Sequence, residues 1–265
     1  MKSKSLVKTF FFVALPVTML LVLLIYAGIE LYAHLTTSSR FSIREVEIIT
    51  NGPADKKNIL QLAHIQIGEN IFALDLAAVK HRVEQDPWVA AATISRALPD
   101  RIQIRYQAQI PAAILGAESL YYLNQSGVPF YKLSKDDSLD YPLLRLETGQ
   151  NAKELIHERI LSALQLLKIL EKSGWSSPKD IGDISIRDVN PSLLLTMRYP
   201  PSGLTKLVKS GRARHFTASL SPEDLPSEVK RMYIVLQHLA QAGKNPRLIR
   251  LELGKKIVVK LDQTP

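Results

Sequence analysis

The feature that most restricts this chain is an uncharged run from Thr9 to Ile29. It is about 21 residues long, close to the ~20 that a helix needs to cross the hydrocarbon core of a bilayer. Lys2, Lys4 and Lys8 precede it. Because Lys-rich flanks stay on the cytoplasmic side, the short tail is expected inside and everything after Tyr32 outside. Pro16 is tolerable in such a helix. A cleaved signal peptide and a buried core helix are the competing readings. A signal core usually runs about 7 to 15 residues, and Leu31-Tyr32-Ala33 makes a poor cleavage site, so an uncleaved anchor fits better. Glu30 and His34 fall at its outer end, where polar groups reach the interface.

The 265 residues leave room for roughly two modest domains. Residues 1–8 are read as a cytoplasmic tail, 9–33 as the membrane helix, and 41–110 and 111–265 as two folded regions outside. The absence of cysteine excludes disulfides, thiolate metal sites and a Cys nucleophile. A formal charge of +9 favours anionic neighbours such as lipid headgroups, acidic polymers or nucleic acid, and selects none of them.

Beyond the anchor, Ser42 to Ile49 alternates as a half-buried strand, ended by Asn51-Gly52-Pro53. Lys56 to His64 predicts a helix with Ile59, Leu60 and Ala63 on one face. Gly68-Glu69-Asn70 breaks the chain, and Asp75 is placed to cap a second helix with Leu76, Val79 and Val83 buried. Pro87 stops that helix. Val89 to Arg96 and Ile102 to Tyr106 read as strands around a turn at Leu98-Pro99-Asp100. The order is β-α-α-β-β. Trp88 at the helix-to-strand corner is expected to cap the core rather than to bind a ligand.

The stretch GENIFALDLAAVKHRVEQDPWVAAATISRALPDRIQIRYQAQIPAAI resembles the POTRA domain of the FtsQ/DivIB family of bacterial cell-division proteins. The matching positions are Gly68, Asn70, Phe72, Asp75, Pro87, Trp88, Val89, Ala92, Arg96, Pro99, Pro111 and Ala113. The resemblance implies an α+β chain: a single transmembrane helix, a POTRA domain at 41–110 and a β-rich domain at 111–265. Gly68, Asn70, Phe72, Asp75, Pro87, Trp88 and Pro99 are its structural residues. Family members often carry an acidic residue where Ala108 stands, and read D-L-R where this chain has Arg250-Leu251-Glu252.

Farther on, Ser119 to Phe130 reads as a hairpin similar to the one that opens the family's second domain, and Pro142-Leu143-Leu144 as a turn. Ala152 to Lys172 predicts an apolar helix, Ile181 to Ile186 and Leu193 to Met197 predict strands, and Pro200 to Gly203 a turn. Ser221-Pro222-Glu223-Asp224 reads as a helix start, with Val229, Met232, Tyr233, Leu236 and Leu239 on the buried face. Leu248 to Leu253 and Lys256 to Leu261 predict a terminal hairpin.

No motif for chemistry appears. The histidines fall in no metal pattern, and P-loop, G-x-S-x-G and G-x-G-x-x-G are missing. Asp136-Asp137 and Asp180 with Asp183 are expected on a solvated face or capping turns, and Lys206, Lys209, Arg212, Arg214 and His215 in a solvated basic loop. The expectation is a scaffold rather than an enzyme, with no cofactor, metal, nucleic acid or small-molecule substrate. The alternatives are a membrane-anchored or secreted protein binding or acting on wall polymer, and a POTRA protein of outer-membrane transport. The resemblance implies partners of the FtsB and FtsL type, besides lipid around the anchor. Leu248, Arg250, Glu252, Ile257, Val258, Val259 and Lys260 are the candidate contact residues, the terminal strand offering free backbone groups for β-augmentation.

Overall fold

A computed structural model describes residues 3–52, 55–147, 153–187, 192–207, 214–254 and 256–262. It opens with α1 (Ser3–Thr37), in which Pro16–Thr37 is long and apolar enough to cross a membrane. Side chains from Pro16 to His34 are exposed. At ~1.5 Å per residue this 22-residue segment covers about 33 Å, against a hydrocarbon core of ~30 Å. In the last turn the Thr36 and Thr37 hydroxyls donate back to the Tyr32 and Ala33 carbonyls, at 2.9 and 2.8 Å, sharing acceptors with the helix amides.

The chain divides into two compact units, Met1–Ala108 and Gln109–Pro265. After α1 the first unit holds β1 (Glu45–Thr50), α2 (Lys56–Ala63), α3 (Leu76–Val83), β2 (Val89–Ala97) and β3 (Arg101–Ala108), the β-α-α-β-β order that the pattern predicts. Its sheet runs β1-β3-β2, with β3 parallel to β1 and antiparallel to β2. Ile102, Ile104 and Tyr106 of β3 turn to one face at period 2, and meet Ile43, Ile59, Ile71, Val79 and Val83 in the core. Asp55 and Asp75 start the two helices, each carboxylate accepting two first-turn amides. Leu60, expected on the buried face, is instead 43% exposed. Helix α2 spans only eight residues, so the strip that meets the sheet is reduced to Ile59 and Ala63, four apart.

The second unit contains β4 (Ala113–Gly116), β5 (Leu120–Leu123), β6 (Pro129–Lys132), β7 (Leu143–Glu147), α4 (Lys153–Ser173), β8 (Ile181–Arg187), β9 (Leu193–Tyr199), β10 (Arg214–Leu220), α5 (Leu225–Gln241), β11 (Pro246–Arg250) and β12 (Val258–Leu261). The strands form one nine-stranded sheet, in the order β12-β11-β10-β9-β8-β7-β4-β5-β6. Helices α4 and α5 are the crossovers of two parallel pairs, β7 with β8 and β10 with β11, a connection that parallel strands require. Ile160, Ala163, Leu166 and Leu170 of α4 share one core with Val229, Met232 and Leu236 of α5 and with Leu144, Ile184, Leu195, Phe216 and Ile249 of the sheet.

Several local expectations change in this unit. Leu143 and Leu144 begin β7 instead of forming a turn; β7 lies between parallel β4 and β8, so its leucines are read as central strand. Ser221 and Pro222 open a short 3-10 turn, and the α-helix starts only at Leu225, capped by Asp224. Leu239 is only partly buried, while Ala240 takes the inner position. Pro200 to Gly203 leads into a 3-10 segment, Ser202–Leu207. Arg214 and His215 belong to β10 and not to a loop, Arg214 meeting Asp262 at 2.6 Å; Lys209 and Arg212 lie outside the described residues.

Asp180 is buried rather than solvated, and accepts from the Ser177 amide (2.8 Å), the Ser202 amide (3.0 Å) and the Ser202 hydroxyl (2.9 Å). Burial pushes its carboxyl up, but these donors more than offset that and hold it below its ordinary value. The close approach needs Gly203, where an added Cβ would stand 2.6 Å from the Trp175 Cα.

Candidate interaction edge and membrane-proximal clamp

The motif residues Gly68, Asn70, Phe72 and Arg96 gather around the loop from Gly68 to Asp75. Gly68 adopts φ +94°, a conformation that side-chain-bearing residues avoid, and its amide donates to the Ile43 carbonyl at 2.8 Å. Ile43 donates in return to Glu69, and Ile71 to Phe41, also at 2.8 Å, so the segment leaving α1 runs beside this loop. Asn70 ties the two together. Its Oδ1 accepts from the Phe72 amide at 2.8 Å, while Nδ2 donates to the carbonyls of Leu35 (2.9 Å) and Ser38 (3.3 Å). Leu35 belongs to the last turn of α1, so Asn70 satisfies a helix-end acceptor. Phe72 sets its ring edge-on against Phe41, centroids 5.1 Å apart. From the end of β2, Arg96 closes the loop by donating to Ile71 (2.7 Å) and Leu74 (2.8 Å) carbonyls. Pro99 sits in the β2–β3 turn, and the next residue, Asp100, accepts the Arg44 amide at 2.8 Å.

At the opposite end of the strands, the corner assigned to the Trp88 ring is pinned by a carboxylate. Asp86 is buried, and accepts from Asn58 Nδ2 at 2.7 Å and from the Trp88 amide at 2.8 Å; Trp88 itself is half-buried and Pro87 exposed. Along the outer border of the same sheet, Glu84 Oε1 accepts the Ala92 amide at 2.9 Å, so a carboxylate blocks part of edge strand β2.

The terminal hairpin differs. Strand β12 pairs antiparallel with β11, Leu248 opposite Lys260, Ile249 opposite Val259 and Arg250 opposite Val258. It is the last strand of the sheet, and among the described residues no strand covers its other side. Ile257 and Val259 pack against the core, Leu248 is partly buried, and Arg250, Val258 and Lys260 are exposed. Arg250 and Glu252 pair with each other at 2.9 Å on either side of the buried Leu251. The hairpin is held from behind by Arg231 of α5, which donates to the Gly254 carbonyl and reaches Glu228 at 3.4 Å. Glu228 accepts the Ser221 amide at 2.7 Å; burial pushes its carboxyl above its ordinary value despite that bond and Arg231. What this edge exposes is backbone donors and acceptors, with the basic Lys256 and Lys260 alternating with the apolar Val258.

Elsewhere, a groove of about 620 Å³ beside α4 is lined by Pro111, Tyr141, Pro142, Leu164, Lys168 and Glu171 among others. Among the described residues no three His, Asp or Glu side chains stand where they could hold a metal ion. Sequence reasoning missed Glu84 and Asp86 as structural carboxylates, while Asp180 takes the turn-capping role, one of the two expected for it, and is buried. Asp86, immediately before Pro87, carried a local signal, since an acid before a helix-stopping proline is placed to accept the next free amide, and Ser177-Pro178-Lys179-Asp180 carried one as a capping-box pattern.

A family model described as POTRA domain, FtsQ-type, matches residues 41–106. Curated relatives named Cell division protein FtsQ align with the chain. The protein of Syntrophotalea carbinolica is 34% identical over 174 residues, 64% of this chain and 60% of the relative. That of a Geobacter species is 28% identical over 65% of this chain and 64% of its own length, and that of Myxococcus fulvus 30% identical over 62% and 59%. The aligned part of this chain thus spans about 60% of the length of these relatives. Residues 41–106 are accordingly a POTRA domain of the FtsQ type, in a chain that resembles the FtsQ cell-division proteins over well over half its length.

Proposed function

We propose that this chain is a non-enzymatic scaffold of the bacterial division machinery. In this reading residues 1–8 are cytoplasmic and 9–33 form a single-pass anchor in the inner membrane. Residues 41–110 and 111–265 then stand as two periplasmic domains at the septum. Partners of the FtsB and FtsL type add a strand to the open side of β12, with further contacts made by the POTRA domain. The observation that supports this most is the position of β12 at the end of the nine-stranded sheet. A strand in that place offers a row of unpaired amides and carbonyls, which give affinity, while Val258 and Lys260 give the pairing its side-chain preference. Leu248, Arg250, Glu252, Ile257 and Val259 complete the candidate contact set, with Ile257 and Val259 packed inward behind that border. Lys256 and Lys260 discourage pairing with unselected strands and favour an acidic partner.

The test uses proline at Val258 and, separately, at Val259. Successive amides of a strand point to opposite sides, so one substitution removes an outward donor and the other a donor to β11. The variant that keeps the wild-type melting profile should lose co-purification with membrane division proteins. Unchanged capture by that folded variant would remove β-augmentation as the mechanism.

A further inference from the structure

We infer that the POTRA domain lies against the bilayer surface, and that Ile67 and Leu98 dip into it as an apolar pair ringed by Arg40, Arg44 and Arg101. The inference rests on the reading of α1 as a membrane-spanning helix. It concerns a surface for lipid, separate from the β12 border.

The strand directions place this surface. The segment leaving α1 enters the start of β1, and β3 runs parallel to β1, so Glu45, Arg101 and the β2–β3 turn all stand at the end of the sheet from which the chain departs toward α1. The Asn70 clamp sets the distance. Its hydrogen bonds to Leu35 and Ser38 bring the Gly68–Asp75 loop to the last turn of the apolar span, which ends at Thr37. Ile67 is three residues from Asn70, hence within about 11 Å of it, and Asn70 itself touches that turn, which leads into a headgroup layer about 5 to 8 Å deep. Leu98 is fixed at the same end. Arg96, two residues before it, grips Ile71 and Leu74, and Asp100, two residues after it, accepts from Arg44.

At this end a core-forming role is ruled out for both side chains by exposure: Ile67 is 66% and Leu98 61% exposed. Two large aliphatic groups held outward beside a spanning helix gain free energy on entering the interface, at about 25 cal/mol per Å² of apolar surface removed from water. The arginines have the chemistry to fit around them. Arg44 meets Asp100 at 3.7 Å and Arg101 meets Glu45 at 3.2 Å, but these guanidinium groups are largely solvent-facing, so the pairs are weak and exchange readily for lipid phosphate. Arg40 is exposed in the linker itself. The bilayer is the occupant that this geometry favours, because the spanning helix delivers it to the site without a separate encounter.

The chain contains no cysteine, so single labels report one place each. The full chain is reconstituted in vesicles of phosphatidylethanolamine and phosphatidylglycerol, or of phosphatidylcholine alone, with a bimane label on Ile67→Cys, Leu98→Cys, Ala90→Cys or Val22→Cys. Ala90 stands at the far end of β2 and Val22 inside the span. Labels at 67 and 98 should blue-shift and be quenched by headgroup-proximal doxyl lipid in both compositions, more strongly in the anionic one, while the label at 90 is not. Quenching at 67 and 98 no greater than at 90 overturns the inference. So does quenching that occurs only in anionic vesicles and vanishes in high salt, which would leave the arginines without apolar insertion. Failure of the Val22 label to be quenched would instead sink the anchor, and loss of partner capture leaves this result untouched.

Discussion

The two sheets of this protein treat their borders in opposite ways. In the three-stranded sheet of the POTRA unit, Glu84 takes up the Ala92 amide on edge strand β2, and Arg96 at its end is committed to the Gly68–Asp75 loop. In the nine-stranded sheet, β12 has a partner only on its β11 side among the described residues, and its restraints, Arg214 with Asp262 and Arg231 with Gly254, all hold it from its inner side or its ends. The small unit has a modest apolar core and uses charged side chains on backbone groups to fix its loops. The large unit buries two helices on a wide sheet and can leave one border open without losing its shape. On the proposed reading, strand addition is assigned to the large unit and placement beside the membrane to the small one.

This contrast can be broken most severely through the large core. Phe216 is almost wholly buried and packs edge-on with Tyr199, 6.2 Å between centroids. Phe216→Ala is expected to cost about 4 kcal/mol in chemical denaturation, confined to the second unit. Arg96→Ala comes next. It orphans the Ile71 and Leu74 carbonyls and is expected to cost about 3 kcal/mol, with faster amide exchange from Gly68 to Asp75 and none of that change in the second unit. An effect spread evenly over both units would end the idea that the clamp serves one of them.

Glu84→Ala sharpens the comparison at smaller cost, about 1 kcal/mol of stability, because it bares one amide without opening the core. The Ala92 amide should then exchange freely with solvent and β2 should become a second site for strand pairing, seen as concentration-dependent self-association. If Ala92 stays protected, the border is closed by something other than Glu84. The smallest expected effect is on pH dependence. Glu228 is held above its ordinary 4.5, so the folded state binds its proton more tightly than the unfolded chain. Its favourable contribution is present below 4.5 and is lost as pH rises through the folded value. Asp180, held below 3.8, works the other way: its contribution is present above 3.8 and fades as pH falls through its lower folded value. Glu228→Gln should flatten the first dependence in a melting-temperature series and leave the acid loss from Asp180 in place.

Legibility in the sequence followed the range of the interaction. The apolar N-terminal span, the Asp75-capped helix and the alternation of Ile102, Ile104 and Tyr106 depend on neighbours within a few residues, and were readable from spacing. The family likeness was readable in residues 68–113 for the same reason: its glycine, its caps and its prolines answer local backbone demands. Leu60 was misplaced because only docking decides how wide a strip a two-turn helix buries. Leu143 and Leu144 looked like a turn beside Pro142 until β4 and β8 flanked them. The capping bond of Asp180 to Ser177 is local, but its burial was not readable because its other partner, Ser202, is 22 residues away.

By itself the amino-acid sequence determined a helix long and apolar enough to cross a membrane, the element order of the first unit and its kind. Those rest on hydrophobic length, period and caps, which act locally. Only the tertiary structure decided that β12 ends a sheet, that Glu84 closes the border of another, and that Asn70 reaches the last turn of α1. Strand order and side-chain reach across 35 residues are set by which surfaces exclude water together, and no local pattern encodes that choice.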